Sequence, residues 1–204
     1  MSTTASPARE FLARLRETPV SLVDVARLLD ALAPRERVEA IRAAGREEQR
    51  RLYEAALGFA ELHLADLVPP AVADLATVRH FGRNTLTAFT HFEKRFARPA
   101  GGDPRKPDLL YGFNFQALGW LTGPGYFVAR DDPARPEVLI DYREVPCQAP
   151  PGWPGVRGNE RGPARFVYGF MVDRLRRVSE HVTIGSANRG GRDLGSWFLL
   201  CRES

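Results

Sequence analysis

His181, Asp141 and Tyr142 are residue types able to share acid–base work: an imidazole that titrates near neutrality, a carboxylate and a phenol, all on segments that read as strands. From Val178 onward the even positions Val178, Val182 and Ile184 are apolar, while Ser179, His181, Thr183 and Gly185 are small or polar. One face therefore packs on a core, and the other points either into a pocket or into solvent. In a pocket, His181 would give a proton to a ligand or take one; in solvent it would be an ordinary surface residue. Asp141 and Arg143 are two apart and share a strand face, where they can orient a polar ligand group or form an exposed ion pair. Trp120, Tyr126, Tyr168 and Trp197 are large amphipathic side chains suited to a pocket wall and equally suited to plain core. Asn114 sits in an aromatic run, and a buried amide needs partners that a ligand or a neighbouring backbone can supply. The ligand-binding set expected from the sequence is Asn114, Trp120, Tyr126, Asp141, Arg143, Tyr168 and His181, with no catalytic residue assigned. Arg174, Arg176 and Arg177 form a basic cluster that reads either as a phosphate or carboxylate clamp or as a solvated edge.

Other chemistries find no support. The chain has no GxSxG, HExxH or kinase pattern, and Gly123-Pro124-Gly125 fits neither phosphate-loop spacing, so it reads as a tight turn. Cys147 and Cys201 form no CxxC pair, and His80 and His91 are too far apart for one helical face and have no companion carboxylate at ligand spacing except Glu93, so neither a metal nor another cofactor is expected. Residues 1–76 carry 10 basic against 12 acidic side chains, whereas residues 77–204 carry 19 against 13. The basic residues are almost all arginine, Lys94 and Lys106 being the two lysines, so a pI near 9.4 does not by itself imply nucleic-acid binding. No apolar run approaches the ~18 residues of a membrane span, and the first residues lack the apolar core of a signal peptide, which predicts a soluble, cytoplasmic protein.

The elements that must position these residues fall into two regions. Residues 1–76 read as helices. Ser6-Pro7 starts the first and Thr18-Pro19 ends it; Ser21 caps a second with the stripe Leu22, Val25, Leu29 and Leu32. Pro34 opens a third, which runs to Gly45, and Leu52 to Leu67 mark a long amphipathic helix ended by Pro69-Pro70. Residues 78–96 support two readings. Phe89, Phe92 and Phe96 fall at helical spacing, which favours a helix, while Thr85, Thr87, Phe89 and His91 alternate as in a strand. From Leu109 strand signals dominate: Leu110 to Leu121, Tyr126 to Arg130, Val138 to Arg143, Phe166 to Val172, Val178 to Ala187 and Trp197 to Cys201. A Pro/Gly-rich loop spans 146–163. Five or six successive strands without intervening helices predict an α+β protein, with N-terminal amphipathic helices packed on a C-terminal antiparallel, barrel-like curled sheet over 77–204.

The succession Phe166-Val167-Tyr168, Arg176-Arg177-Val178, Val182-Thr183-Ile184-Gly185 and Trp197 to Arg202 resembles the closing strands of calycin-like bacterial proteins, the lipocalin-related barrels that include the GXWXG family, though without the Gly-x-Trp-x-Gly signature itself. The resemblance implies a barrel with a pocket for a small apolar or amphipathic molecule, and it carries over no catalytic residue. Three functions are thus expected in order: small-molecule binding in a barrel pocket; a cofactor-independent isomerase, cyclase or hydratase using His181 with Asp141 or Tyr142; and binding of nucleic acid or an acidic partner through the Arg-rich second half.

Overall fold

A computed structural model describes residues 6–86, 90–116, 123–159 and 168–203. Among the described residues five helices come first: α1 (Pro7–Arg16), α2 (Leu22–Ala31), α3 (Pro34–Ala43), α4 (Arg46–Ala55) and α5 (Leu64–Leu67). Local chemistry starts most of them. Ser6 Oγ accepts from the Arg9 amide and Ser21 Oγ from the Asp24 amide, both at 3.4 Å, while Glu36 and Glu48 reach back to the amides of Ala33 and Gly45 at 3.2 Å. The long helix expected over Leu52 to Leu67 is broken. α4 stops at Ala55, Gly58 takes a positive φ of 69°, and the chain turns so that Leu62, Leu64 and Leu67 leave the helical layer.

Eight strands follow: β1 (Val78–Asn84), β2 (His91–Ala97), β3 (Leu110–Phe115), β4 (Tyr126–Asp131), β5 (Val138–Asp141), β6 (Val172–Arg177), β7 (Val182–Arg189) and β8 (Arg192–Arg202). Each pairs antiparallel with its sequence neighbours, and β1 pairs with β8, so the sheet closes into a barrel without a free edge. The helix favoured for residues 78–96 is instead the β1–β2 hairpin. Phe92 and Phe96, four apart, satisfy helical and strand periods alike, and the closed barrel decides the matter by burying Phe92, Lys94 and Phe96 on one face. The strand expected at Phe166 to Val172 begins later, at Val172. Phe166 and Val167 lie outside the described residues, as do Phe89 and Trp120. Arg174, Arg176 and Arg177 consequently lie within β6, where they pair with Asp132, Glu137 and Asp66; Arg176 also donates to the Tyr53 carbonyl at 2.7 Å. They tie the barrel to its neighbouring segments.

Two apolar cores result. Outside the barrel, Phe11, Leu15, Leu29 and Ile41 from the helices pack on Val182, Ile184, Leu199 and Cys201 of β7 and β8. Inside, Phe96, Phe127, Leu175 and Leu200 meet Leu62, Leu64 and Leu67, so α5 stoppers one end of the barrel. The stopper is fixed by polar anchors: the Leu64 amide donates to Asp131 at 2.9 Å, and buried His80 donates through Nε2 to the Leu67 carbonyl at 2.9 Å. The interior is tightly filled at Gly112, where an added Cβ would lie 2.1 Å from the Phe127 ring, itself held edge-on between Phe96 and Tyr142. Gly112→Ala is expected to lower stability by about 1–3 kcal/mol, seen as a reduced urea midpoint. An unchanged midpoint would show that Phe127 does not seat on Gly112.

Candidate functional site inside the barrel

The half of the interior away from α5 holds polar groups from several strands. Lys94 on β2 pairs across to Asn114 on β3, Asp173 on β6 pairs with Ile140 on β5, and Tyr142 lies two residues beyond Ile140 on the same face. Alternation points all four inward. Lys94 Nζ donates to Asn114 Oδ1 at 3.0 Å and to the Tyr142 hydroxyl, and stands 3.5 Å from Asp173 Oδ2. Asn114 Nδ2 also donates to the Tyr142 hydroxyl, at 3.1 Å. The rest of the lysine's surroundings are aromatic: Nζ lies 4.8 to 5.7 Å from the ring centres of Phe198, Tyr142, Phe127 and Phe92. Tyr168 stacks on Tyr142 at 5.4 Å and 17°, and its ring also sits close over Gly125, where a Cβ would approach it to 2.6 Å. Gly125 also has a φ of 55°, so this seat for Tyr168 needs glycine twice over. Asn159, from the Pro/Gly-rich loop, donates to the carbonyls of Tyr126 and Tyr142 at 2.6 and 2.8 Å and ties the loop to this end of the barrel.

Burial sets the electrostatics. Lys94 and Asp173 are each 2% exposed. Desolvation takes the Lys94 amine down to about 8 despite the nearby carboxylate, and raises Asp173 to about 6 against the pull of Lys94 and Tyr142. Desolvation also raises the Tyr142 phenol well above its ordinary range. An amine and a carboxyl moved toward neutrality from opposite sides are suited to exchanging a proton near pH 7. One feature of the cluster is incomplete: Asp173 Oδ1 is buried and accepts no hydrogen bond among the described residues.

Of the residues expected from the sequence, Asn114 and Tyr168 join this cluster. Trp120 lies outside the described residues. Tyr126 precedes inward Phe127 and faces out; its hydroxyl donates to the Pro154 carbonyl and its ring packs with Phe113 and Trp153. Asp141 also faces out, held by the Arg143 guanidinium at 2.6 Å, with Arg143 exposed. His181 sits in the β6–β7 turn, where burial and the nearby Arg37 and Arg202 lower its pKa. Tyr142, just past the end of β5, lies beside the start of β6, and His181 lies beyond the end of β6, so the length of a strand, about 3.3 Å per residue, separates them. The odd face of β7 does turn inward, with Gly185 against Phe198, but His181 precedes the strand.

Lys94 and Asp173 escaped the sequence reading. Two signals pointed to them: Lys94 is one of two lysines in an arginine-dominated chain and alternates with Phe92 and Phe96, and Asp173 alternates with Leu175. Comparison with known protein families, curated proteins and solved structures finds no match to this chain. A groove of about 460 Å³ also opens outside the barrel, between α3 and β1, where Arg42 and Arg79 stack over Phe81. It offers docking contacts, whereas the barrel interior offers groups set up for proton exchange.

Proposed function

We propose that the barrel interior binds a small, mostly apolar molecule through a single polar group docked at Lys94, Asn114 and Tyr142. The observation that carries this reading is the convergence of four polar side chains, from β2, β3, β6 and the residue following β5, in an aromatic interior, with Asp173 Oδ1 accepting no hydrogen bond among the described residues. Pockets that bind small molecules have this composition, apolar walls with a few convergent polar groups. A ligand with a carbonyl or carboxyl oxygen would accept from the Lys94 ammonium, and a hydroxyl on it would donate to Asp173. The arginines of β6 serve the fold through their ion pairs, which favours a small ligand over nucleic acid.

The test is native mass spectrometry of the purified protein alongside Lys94→Met. A small molecule is expected to co-purify with the wild type and to be held roughly 10- to 100-fold more weakly by the variant, the loss appropriate to a charge-assisted hydrogen bond. Equal retention by both would overturn this docking mode. A second reading, an acid–base enzyme acting in the same interior, is favoured by the neutral-shifted Lys94 and Asp173 and takes these two in place of His181 and Asp141.

A further inference from the structure

We infer that Lys94 is a carbonyl-capturing amine, which forms an imine with an aldehyde or ketone ligand while Asp173 shuttles the proton. The inference rests on the binding reading above and names its ligand class. Lysine and arginine would serve equally as a structural cation in an ion pair, and arginine's five donors suit a buried carboxylate better. The chain uses arginine at nearly every basic position, yet the barrel interior holds a primary amine, the group that can be both base and nucleophile.

The neighbours match the steps. Asp173, 3.5 Å from Nζ, takes one ammonium proton, and the freed lone pair attacks the carbonyl carbon as the C=O π pair moves to oxygen. Asn114, whose Oδ1 accepts from the amine and whose Nδ2 donates to the Tyr142 hydroxyl, and Tyr142, whose hydroxyl also accepts from the amine, stand where donors to that oxygen are needed. The carbinolamine oxygen receives the second nitrogen proton and then the proton held by Asp173, and leaves as water while the C=N bond forms. An ammonium and a carbonyl thus become an iminium and one water, and Asp173 ends as the carboxylate it began as. Its Oδ1, which accepts no hydrogen bond among the described residues, leaves a lone-pair position for the shuttled proton. The lowered amine pKa supplies free base near neutral pH.

The test is reductive trapping at pH 7 with hexanal and sodium cyanoborohydride, followed by peptide mapping, with 1-hexanol as a carbonyl-free analogue whose binding is measured by calorimetry. Exposed Lys106 is the internal control. Alkylation at Lys94 is expected at least ~10-fold faster than at Lys106, to persist in Lys106→Arg, and to slow ~10-fold or more in Asp173→Asn, as loss of a general acid–base group dictates. The Lys94 to Lys106 ratio in the wild type needs no variant to fold. Equal or slower labelling of Lys94 while 1-hexanol still binds would overturn imine formation and leave the binding reading standing. Absence of both Lys94 labelling and 1-hexanol binding would count against the two together.

Discussion

Asp173→Ala is expected to destabilise the protein by about 3–5 kcal/mol, the largest effect of any single change at the cluster. The substitution leaves Lys94 at 2% exposure with its ammonium facing four aromatic rings and no carboxylate. Asn114 and Tyr142 still accept from it, but neither carries the opposite charge that offsets removal from water. The amine can relieve this by shedding its proton, which costs free energy below its ordinary pKa of 10.5. Adding Lys94→Met should return most of the loss, because replacing a buried pair by apolar side chains of similar volume is often neutral or stabilising. Urea denaturation of the two single variants and the double variant forms the cycle that measures the coupling. A loss below about 1 kcal/mol for Asp173→Ala would show that the pair behaves like a surface ion pair.

Local rules made the helical half readable. Ser6, Ser21, Pro34 and Gly45 act within a turn of where they stand, so their roles can be read without knowing the fold. The α+β class and the curled antiparallel sheet are legible from strand alternation around Tyr126 to Asp131 and Val138 to Asp141. The β1–β2 hairpin is not, because the spacing of Phe92 and Phe96 fits both periods and only pairing across the closed barrel separates them. The break between α4 and α5 likewise has a remote cause, the burial of Leu62, Leu64 and Leu67 inside the barrel. The site follows the same division. Asn114 and Tyr168 stand out locally as polar handles among apolar residues, whereas the approach of Lys94 to Asp173 depends on strand order and closure across 79 positions of chain. Alternation also yields two faces of β7 without saying which one meets the helices. Both are buried, the even one under α1 to α4 and the odd one inside the barrel.

The cluster should also give the protein an inverted pH profile of stability. Asp173, ordinarily 3.8, titrates at about 6 in the folded protein. Between those values the folded state holds a proton that the unfolded chain has lost, so this contribution falls as pH rises from about 4 to 6. Lys94, ordinarily 10.5, titrates at about 8 when folded. Between those values the unfolded chain holds the extra proton, so stability rises with pH from about 8 to 10.5. The pair is thus at its least stabilising from about pH 6 to 8, where both groups are charged. Tyr142, the titratable neighbour whose phenol burial raises, stays neutral across this window. His80 would mask the acid limb in the wild type alone, because burial lowers it to about 4 and it adds stability as pH rises toward 6.5. Its effect, and that of every group not perturbed by Lys94 or Asp173, cancels in a comparison with Lys94→Met/Asp173→Leu. The stability of the wild type minus that of the double variant is expected to be lowest near pH 7 and to climb by about 3 kcal/mol toward pH 4 and toward pH 10.5, at about 1.4 kcal/mol per unit of pKa displacement. Urea denaturation across that range reads the difference directly. A flat difference would mean that the barrel does not desolvate Lys94 and Asp173, and a maximum near pH 7 would mean that their attraction outweighs burial.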